Sequence, residues 1–523
     1  MTDLLSRHLP ILQVVVPLLI SPFCVVLGSR NLARILMVST AVVMFAISAM
    51  LLGGVFNGEV YIYHLGGWAA PWGIEYRVDH LTAFVLFTIN LIHLLASIFC
   101  LGRTDDNIGH AARPVFYTAW LLCIAGLNGM VVTNDAFNVF VFLEISSLAA
   151  YMLISCGRDP KAILAAYRYL IVGAVGATFV LLSIGLLYMQ TGTLNISDLS
   201  RIIAERGADR TIIMALSFFI IGIGIKCAIF PLHDWLPNAY SFAPNSVTVL
   251  LSGTATKVAL YVMLRFLHDL FGANFSFTEM PLDIVLILCA ILGMLLAPIA
   301  ALRESNLKRM FAWSSVAQIS YIVMGIGIGT TAGTAAALLH LFNHSIIKAA
   351  IFMAVGIVIA RTGTARIKLL GGVAHGHRFA CYAMLFGGLG LIGIPGTVGF
   401  VSKWVLVTAA VEKGWWWLAI PVLAGSLVSA AYVWRIVETL WTKPTAMEGG
   451  SADIARSKYL PAAINLGHMP NTGGAPLHIV EWLPLMVLTG LALWFGLNAS
   501  FTSDLAIRAA ASLINPESMS LSQ

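Results

Sequence analysis

Residues 217–250 read SFFIIGIGIKCAIFPLHDWLPNAYSFAPNSVTVL, and the position of Lys226 in this stretch decides how the chain is built. The lysine lies well inside its hydrophobic run, too deep for a side chain that merely snorkels to the surface. Pro231 removes a backbone donor and clashes one turn back, and Pro237 and Pro244 follow, so the helix must be interrupted just after Lys226. A broken helix in a bilayer is tolerated only against protein or water, where its freed carbonyls and helix ends become ion ligands. A lysine suits such a place, because desolvation disfavours its charged form while a nearby carboxylate favours it.

The surrounding sequence is that of an all-α polytopic membrane protein. Of 523 residues, 59% are hydrophobic and 10% charged, with a mean hydropathy of +0.89, outside any soluble class. Apolar runs of membrane-crossing length recur at 9–28, 32–56, 79–101, 114–132, 136–156, 164–189, 211–231, 244–267, 281–302, 307–328, 333–360, 379–411, 416–440 and 479–498. These predict about fourteen transmembrane helices. The first run ends in VVLGSR without a small-x-small cleavage site and reads as a retained helix. The run 379–411 is too long for one straight crossing and carries GIPGTVG at its middle, so a break is expected at Pro395 and Gly396.

Of the 30 Lys and Arg residues, 26 fall in or beside loops, and 18 of these face inward if the N-terminus lies outside, against 8 outward. That asymmetry predicts both termini outside. The net charge of +6 is thus an orientation signal, with no basic run that would bind nucleic acid. The seven cysteines are never closer than 23 residues, which leaves no iron–sulfur spacing. Gly325, Gly327 and Gly329 lie in a crossing with no strand before them and read as helix packing. No cofactor and no metal site is expected.

The other four basic residues, Lys226, Lys257, Lys348 and Lys403, lie well inside apolar stretches. Such a charge costs about 2.5 to 3.5 kcal/mol even on the lenient insertion scale, so each is a functional candidate. Glu144 is the one buried acid of its crossing and needs a counter-charge or a proton. The bland reading is a protonated Glu bonded to a neighbouring helix. Lys257 shares its crossing with Ser252, Thr254 and Thr256, hydroxyls that could hold water. His340, His344 and Lys348 are spaced four apart, on one helical face, and histidine exchanges protons near neutral pH. Two histidines at this spacing could ligate zinc, but a lysine is a poor ligand and no acid stands near. His233 and Asp234, just after Pro231, fit local capping or proton uptake equally. Lys403 follows its break whereas Lys226 precedes its own, and five crossings separate them. Reversed order and an odd separation point to inverted repeats.

Taken together, LEISSLAAY around Glu144, KCAIFPLHDWLPNAY, PNSVTVLLSGTATK, LKRMFAWSSVAQISY, HLFNHSIIKA and GIPGTVGFVSKW resemble the proton-translocating antiporter-like membrane subunits. That family includes the large pumping subunits of respiratory complex I, related hydrogenase subunits and the large subunits of the Mrp cation/proton antiporter. The resemblance spans about residues 60–440. It implies two inverted five-helix repeats, each with a broken helix, within 112–270 and 280–441. Around them it implies N-terminal helices in 1–111 with a β-hairpin near 57–78, a connector at 442–478, and a last crossing with a tail in 479–523. It also implies a Glu144–Lys226 pair, a relay through Lys257, His340 and His344, and an exit at Lys403. One medium-length complex I subunit has Glu where Lys403 stands. The chain ends about 25 residues past its last crossing, so the lateral helix of the longest complex I subunit is not expected. YHLGGWAAPWGIEYRVDHLTAF and the length are most similar to D-type subunits of the Mrp antiporter.

The expected function is therefore a proton-translocating subunit of a multisubunit Na⁺/H⁺ antiporter in the bacterial plasma membrane, an ion transporter rather than an enzyme. Its expected partners are other membrane subunits, H⁺, Na⁺ and lipid. One alternative is a proton-pumping subunit of a complex I-like or hydrogenase assembly without its own redox centre. Another is a non-transporting scaffold.

Overall fold

A computed structural model describes residues 2–102, 113–207, 209–442 and 478–514. The connector expected at 442–478 falls almost wholly outside the described residues, as do Arg103, Lys443, Arg456 and Lys458 from the topology count. The chain opens with α1 (Thr2–Val26) and α2 (Arg30–Phe56), then β1 (Tyr61–His64) pairs antiparallel with β2 (Glu75–Val78). Next come α3 (His80–Cys100), α4 (Arg113–Val132), α5 (Ala136–Ser155), α6 (Lys161–Thr191) and α7 (Ile196–Arg206). The broken crossing follows as α8 (Arg210–Cys227) and α9 (Trp235–Phe242). It leads into α10 (Asn245–Gly253) and α11 (Ala255–Arg265). The second half holds α12 (Leu282–Arg303), α13 (Leu307–Ile328), α14 (Thr331–Thr362), α15 (Arg378–Ile392), α16 (Val398–Glu412) and α17 (Ala419–Trp441). Last are α18 (Ile479–Leu497) and α19 (Ser500–Ile514).

Thirteen of the described spans are long and apolar enough to cross a membrane, and the split pair α15–α16 stands where the twelfth run was expected to break. Two helices were not expected. In α7 and α19 the buried residues recur at helical spacing (Ile196, Leu199, Ile203; Thr502, Leu505, Ala506, Ala509, Ala510, Leu513) and only that stripe is buried, so neither forms an apolar run of crossing length.

Hydrogen bonds between loops sort the helix ends into two groups. At one end, Asn134 N donates to Glu75 O (2.8 Å), so the hairpin sits on the start of α5. At the other, Lys308 on α13 meets the end of α9, and Arg435 on α17 donates to Leu302 O and Glu304 O. The two halves repeat one device at opposite ends. Ala136 N donates to Leu194 O (2.8 Å) and Ile196 N to Asn134 O (2.9 Å) at the hairpin end. Leu307 N donates to Ala365 O (2.8 Å) and Ile367 N to Ser305 O (2.9 Å) at the other, every residue 171 positions on. The capping residues keep the same offset. Asp135 accepts from Asn138 N and Asn306 from Arg309 N, while Thr191 and Thr362 each bond back to a carbonyl one turn earlier. An identical clasp at both faces is the signature of an inverted repeat.

The N-terminal helices are joined by buried amides. Asn90 on α3 and Asn128 on α4 exchange amide hydrogen bonds (3.2 and 3.3 Å), and Asn128 also donates to Gln13 on α1. Gln13 Nε2 reaches Met44 O on α2. In a hydrocarbon setting such amides hold helices together only when they satisfy one another.

Candidate functional site

On α5, Glu144, Ser147 and Tyr151 fall on one face, three and four residues apart, and meet the last turn of α8. Lys226 Nζ donates to Ser147 Oγ (2.9 Å) and Tyr151 Oη (3.3 Å) and stands 3.8 Å from Glu144 Oε1. Lys226 is buried, but the Glu144 side chain keeps 29% exposure on the outer face of the chain. A Cβ at position 173 on α6 would overlap the Tyr151 hydroxyl, so Gly173 is what lets the tyrosine reach the lysine.

The break is built as the prolines require. Ala228 ends α8 in the left-handed region (φ 57°), an uncommon place for a residue with a Cβ. Trp235 Nε1 donates to Ile225 O at 2.8 Å, filling a carbonyl near the interrupted end. Tyr169 stacks on Trp235 with ring centroids 3.8 Å apart and lies edge-on to Tyr151. The α8 terminus and the Lys226 cage are thus one packed unit. His233 turns away from it, against Phe230 and the Trp313 ring of α13, and Asp234 is exposed.

Lys257 sits at a discontinuity that no proline announces. Thr254 (φ −126°, ψ −60°) offsets α10 from α11, and Lys257 Nζ takes Ser252 O, one of the carbonyls this offset leaves unpaired. Lys403 does the same at the second break. α15 ends on Gly393 in the left-handed conformation, and Lys403 Nζ donates to Leu391 O (2.8 Å), Ile392 O (3.0 Å) and Ser426 Oγ (2.9 Å). It lies over the Tyr321 ring at 4.4 Å. Carbonyls at a helix C-terminus carry partial negative charge, so each ammonium is matched to a helix end.

Between these lysines runs one face of α14. Lys348 Nζ donates to Phe311 O (2.8 Å) and to the Ser314 hydroxyl. The His340 and His344 rings lie 6.2 Å apart. His340 contacts Ser402 Oγ (2.8 Å) and Gln318 Oε1 (3.1 Å) through its two ring nitrogens, and Gln318 Nε2 reaches Leu391 O. Lys403 and His340 are therefore linked through the shared Leu391 carbonyl. Both ring nitrogens of His344 are buried without a hydrogen-bond partner among the described residues.

The structure thus brings Glu144 to Lys226, and His340 to the neighbourhood of Lys403. It does not bring His233 or Asp234 to Lys226. Sequence reasoning missed Ser147, Tyr151, Gln318, Ser402 and Ser426, residue types too common in membrane helices to stand out. For Ser147 and Tyr151, their spacing from Glu144 was the available signal. It also left Lys308 among the loop charges. That lysine is 4% exposed, and its Nζ donates to Ala243 O at the end of α9 (2.5 Å).

Residues 133–429 match the family described as NADH:quinone oxidoreductase/Mrp antiporter, TM. NADH-quinone oxidoreductase subunit N from Desulforudis audaxviator is 37% identical over 461 residues, 86% of this chain and 89% of that protein. The D-type subunit of the Na(+)/H(+) antiporter from Bacillus subtilis is 29% identical over 97% of both chains. Among solved structures, a chain of the Mrp complex from Dietzia sp. DQ12-45-1b aligns with a TM-score of 0.86 and 26% identity, covering 98% of each chain. With its lysines on the broken helix ends and the match running over more than half its length, the chain belongs to the NADH:quinone oxidoreductase/Mrp antiporter transmembrane family.

Proposed function

We propose that this chain is the proton-translocating subunit of a multisubunit Na⁺/H⁺ antiporter in a bacterial plasma membrane, with both termini outside. The observation that carries the reading is Lys226, held by two hydroxyls 3.8 Å from Glu144 at the end of a broken helix. Among the described residues it is the one intramembrane lysine of the four with a carboxylate within ion-pair distance. A lysine whose counter-ion is set off from its hydrogen bonds can lose or gain a proton with a small movement of the acid. Protons then pass by way of Lys257, Lys348, His344 and His340 to Lys403, with water in the unfilled steps. The relatives named as antiporter subunits, and the Mrp complex neighbour, support partners that are themselves membrane subunits.

The quinone oxidoreductase relative at 37% identity favours a second reading. Here the same proton path serves an electron-transfer complex, and the chain itself holds no redox centre. Purified complex in sealed vesicles separates the two. An imposed sodium gradient that drives proton movement supports the antiporter reading. Proton uptake that requires an electron donor and acceptor, and ignores sodium, supports the other.

A further inference from the structure

The face of α11 carries a second polar line that the lysine and histidine row does not use. Lys257, Tyr261 and Arg265 are spaced four apart and so lie above one another, running from the bundle interior to the hairpin end. Tyr261 Oη donates to Val131 O (2.7 Å), lies 3.1 Å from Thr82 Oγ1, and accepts from Arg265 Nε (3.0 Å). Arg265 also donates to Thr82 Oγ1 (2.8 Å) and Asp269 Oδ2 (2.6 Å), and its second terminal nitrogen pairs with Asp79. Asp79 is buried and Arg265 mostly so, whereas Asp269 and Arg77 reach the surface. Beside them is a cavity of about 20 Å³ whose lining mixes Thr82, Thr133, Asn134, Tyr261 and Arg265 with apolar residues such as Met130 and Val139; it is large enough for one water, and the five polar side chains offer that water partners.

We propose that this column is a second proton route, between Lys257 and the hairpin end, and that the Arg265–Asp79 pair is the lock that keeps it shut. The inference rests on the proton-transport reading above. Four residues of helix separate Lys257 from Tyr261, a rise of about 6 Å, so transfer needs intervening water. In the closed state Tyr261 cannot relay. Its hydrogen is committed to Val131 O, and its acceptor side is taken by Arg265 Nε, whose fixed positive charge also repels an arriving proton. When Arg265 withdraws, the Tyr261 hydroxyl is free to rotate off Val131 O toward the cavity water, and Tyr261 Oη accepts a proton from water on the Lys257 side. Its original hydrogen passes to the cavity water, and the hydroxyl then turns back to Val131 O, which leaves the tyrosine unchanged. Asp79 holds Arg265 in the closed position and is itself fixed as the N-cap of α3, accepting from Thr82 N at 3.0 Å.

Asp79→Asn is the informative variant, because Asn is an equally good N-cap but loses the charge that holds Arg265. In vesicles containing the whole complex, passive proton leak under an imposed potential, read with an entrapped pH dye, is expected to rise about tenfold, the factor set by 1.4 kcal/mol. Adding Tyr261→Phe should return the leak to the wild-type level, which general loosening of the fold would not do. Arg265→Lys, which keeps the charge but loses the bond to Tyr261, should leak in the same Tyr261-dependent way and serves if Asp79→Asn does not assemble. Wild-type leak in an assembled variant overturns the lock, and a leak that survives Tyr261→Phe overturns the route. Coupled flux by the wild-type complex is measured on the same vesicles. Its absence would count against proton transport itself, whereas its presence beside a tight Asp79→Asn variant counts against the lock alone.

Discussion

Glu144 stands 3.8 Å from Lys226, just beyond hydrogen-bond reach, while Ser147 takes the ammonium at 2.9 Å. The carboxylate therefore acts on the lysine through its field and not through a shared hydrogen. Replacing Glu144 by Gln keeps the shape and removes the field that favours the protonated lysine. Residual flux should then peak at lower pH than wild type, since a more acidic medium is needed to load the site. A one-unit displacement corresponds to about 1.36 kcal/mol. Glu144→Asp should fall between. Proton-coupled flux against pH in vesicles checks this, and an unshifted or raised optimum for the Gln variant would remove Glu144 as the partner of Lys226.

Lys226→Ala and Lys403→Ala should each abolish transport in a complex that still assembles, because deleting a buried charge lightens the cost of insertion. For Lys403 the loss removes the lysine's bond to Ile392 O and leaves Leu391 O with Gln318 alone, so a modest drop in thermal stability should accompany it. Wild-type flux at normal membrane abundance would exclude the residue concerned from the path.

His340→Ala and His344→Ala should each slow transport by about tenfold or less, since water can enter the vacated space and carry the proton. His340 also bridges Ser402 and Gln318, so its loss should be the more severe. The double variant should exceed the product of the two single effects, as expected for residues in one network. Independent, multiplicative losses in the same flux assay would mean that they do not cooperate.

Asp79 gives the protein an acid-sensitive contact outside the membrane spans. Burial alone would raise its carboxyl group, but the guanidinium of Arg265, with Arg77 and the Thr82 amide, holds it well below the usual carboxylate range. Its contribution to stability is therefore fully present above the unfolded value of about 3.9 and is lost as the pH falls below it. Melting of the solubilised protein between pH 6 and pH 3, values spanning that point, should show a drop that Asp79→Asn flattens. A variant that loses stability across this range as steeply as wild type would show that other carboxylates dominate acid unfolding.

How much of this was legible beforehand depended on which physical signal each residue carries. Glu144, Lys226, Lys257, Lys348 and Lys403 stand out because a charge in an apolar run is expensive, and Pro231 and Pro395 because proline cannot continue a helix. The offset at Thr254 had no such mark. The carbonyl it exposes, Ser252 O, is taken by Lys257 five residues on, a bond that becomes visible only once the offset itself is seen. Lys308 and Arg265 were hidden for the opposite reason. Both lie near helix ends, where a basic residue is ordinarily an orientation signal, and only the packing of α13 on α9 and the bonds of Arg265 to Asp79 and Thr82 draw them inside. α7 and α19 escaped a reading tuned to membrane-length runs.

The clasp that appears twice, 171 residues apart, has a mechanical consequence. In the first half it ties the start of α5 to the segment after α6 at the hairpin end, while α8 runs from that end and breaks toward the other. In the second half the tie joins α13 to the segment after α14 at the opposite end, and α15 breaks toward the hairpin. Each half is a pair of tweezers riveted at one face with its jointed arm at the other, and the two pairs point in opposite directions. A push that opens one jaw leaves the rivet of its neighbour on the same side, so the bundle can yield at one face while that face stays stapled by the other half.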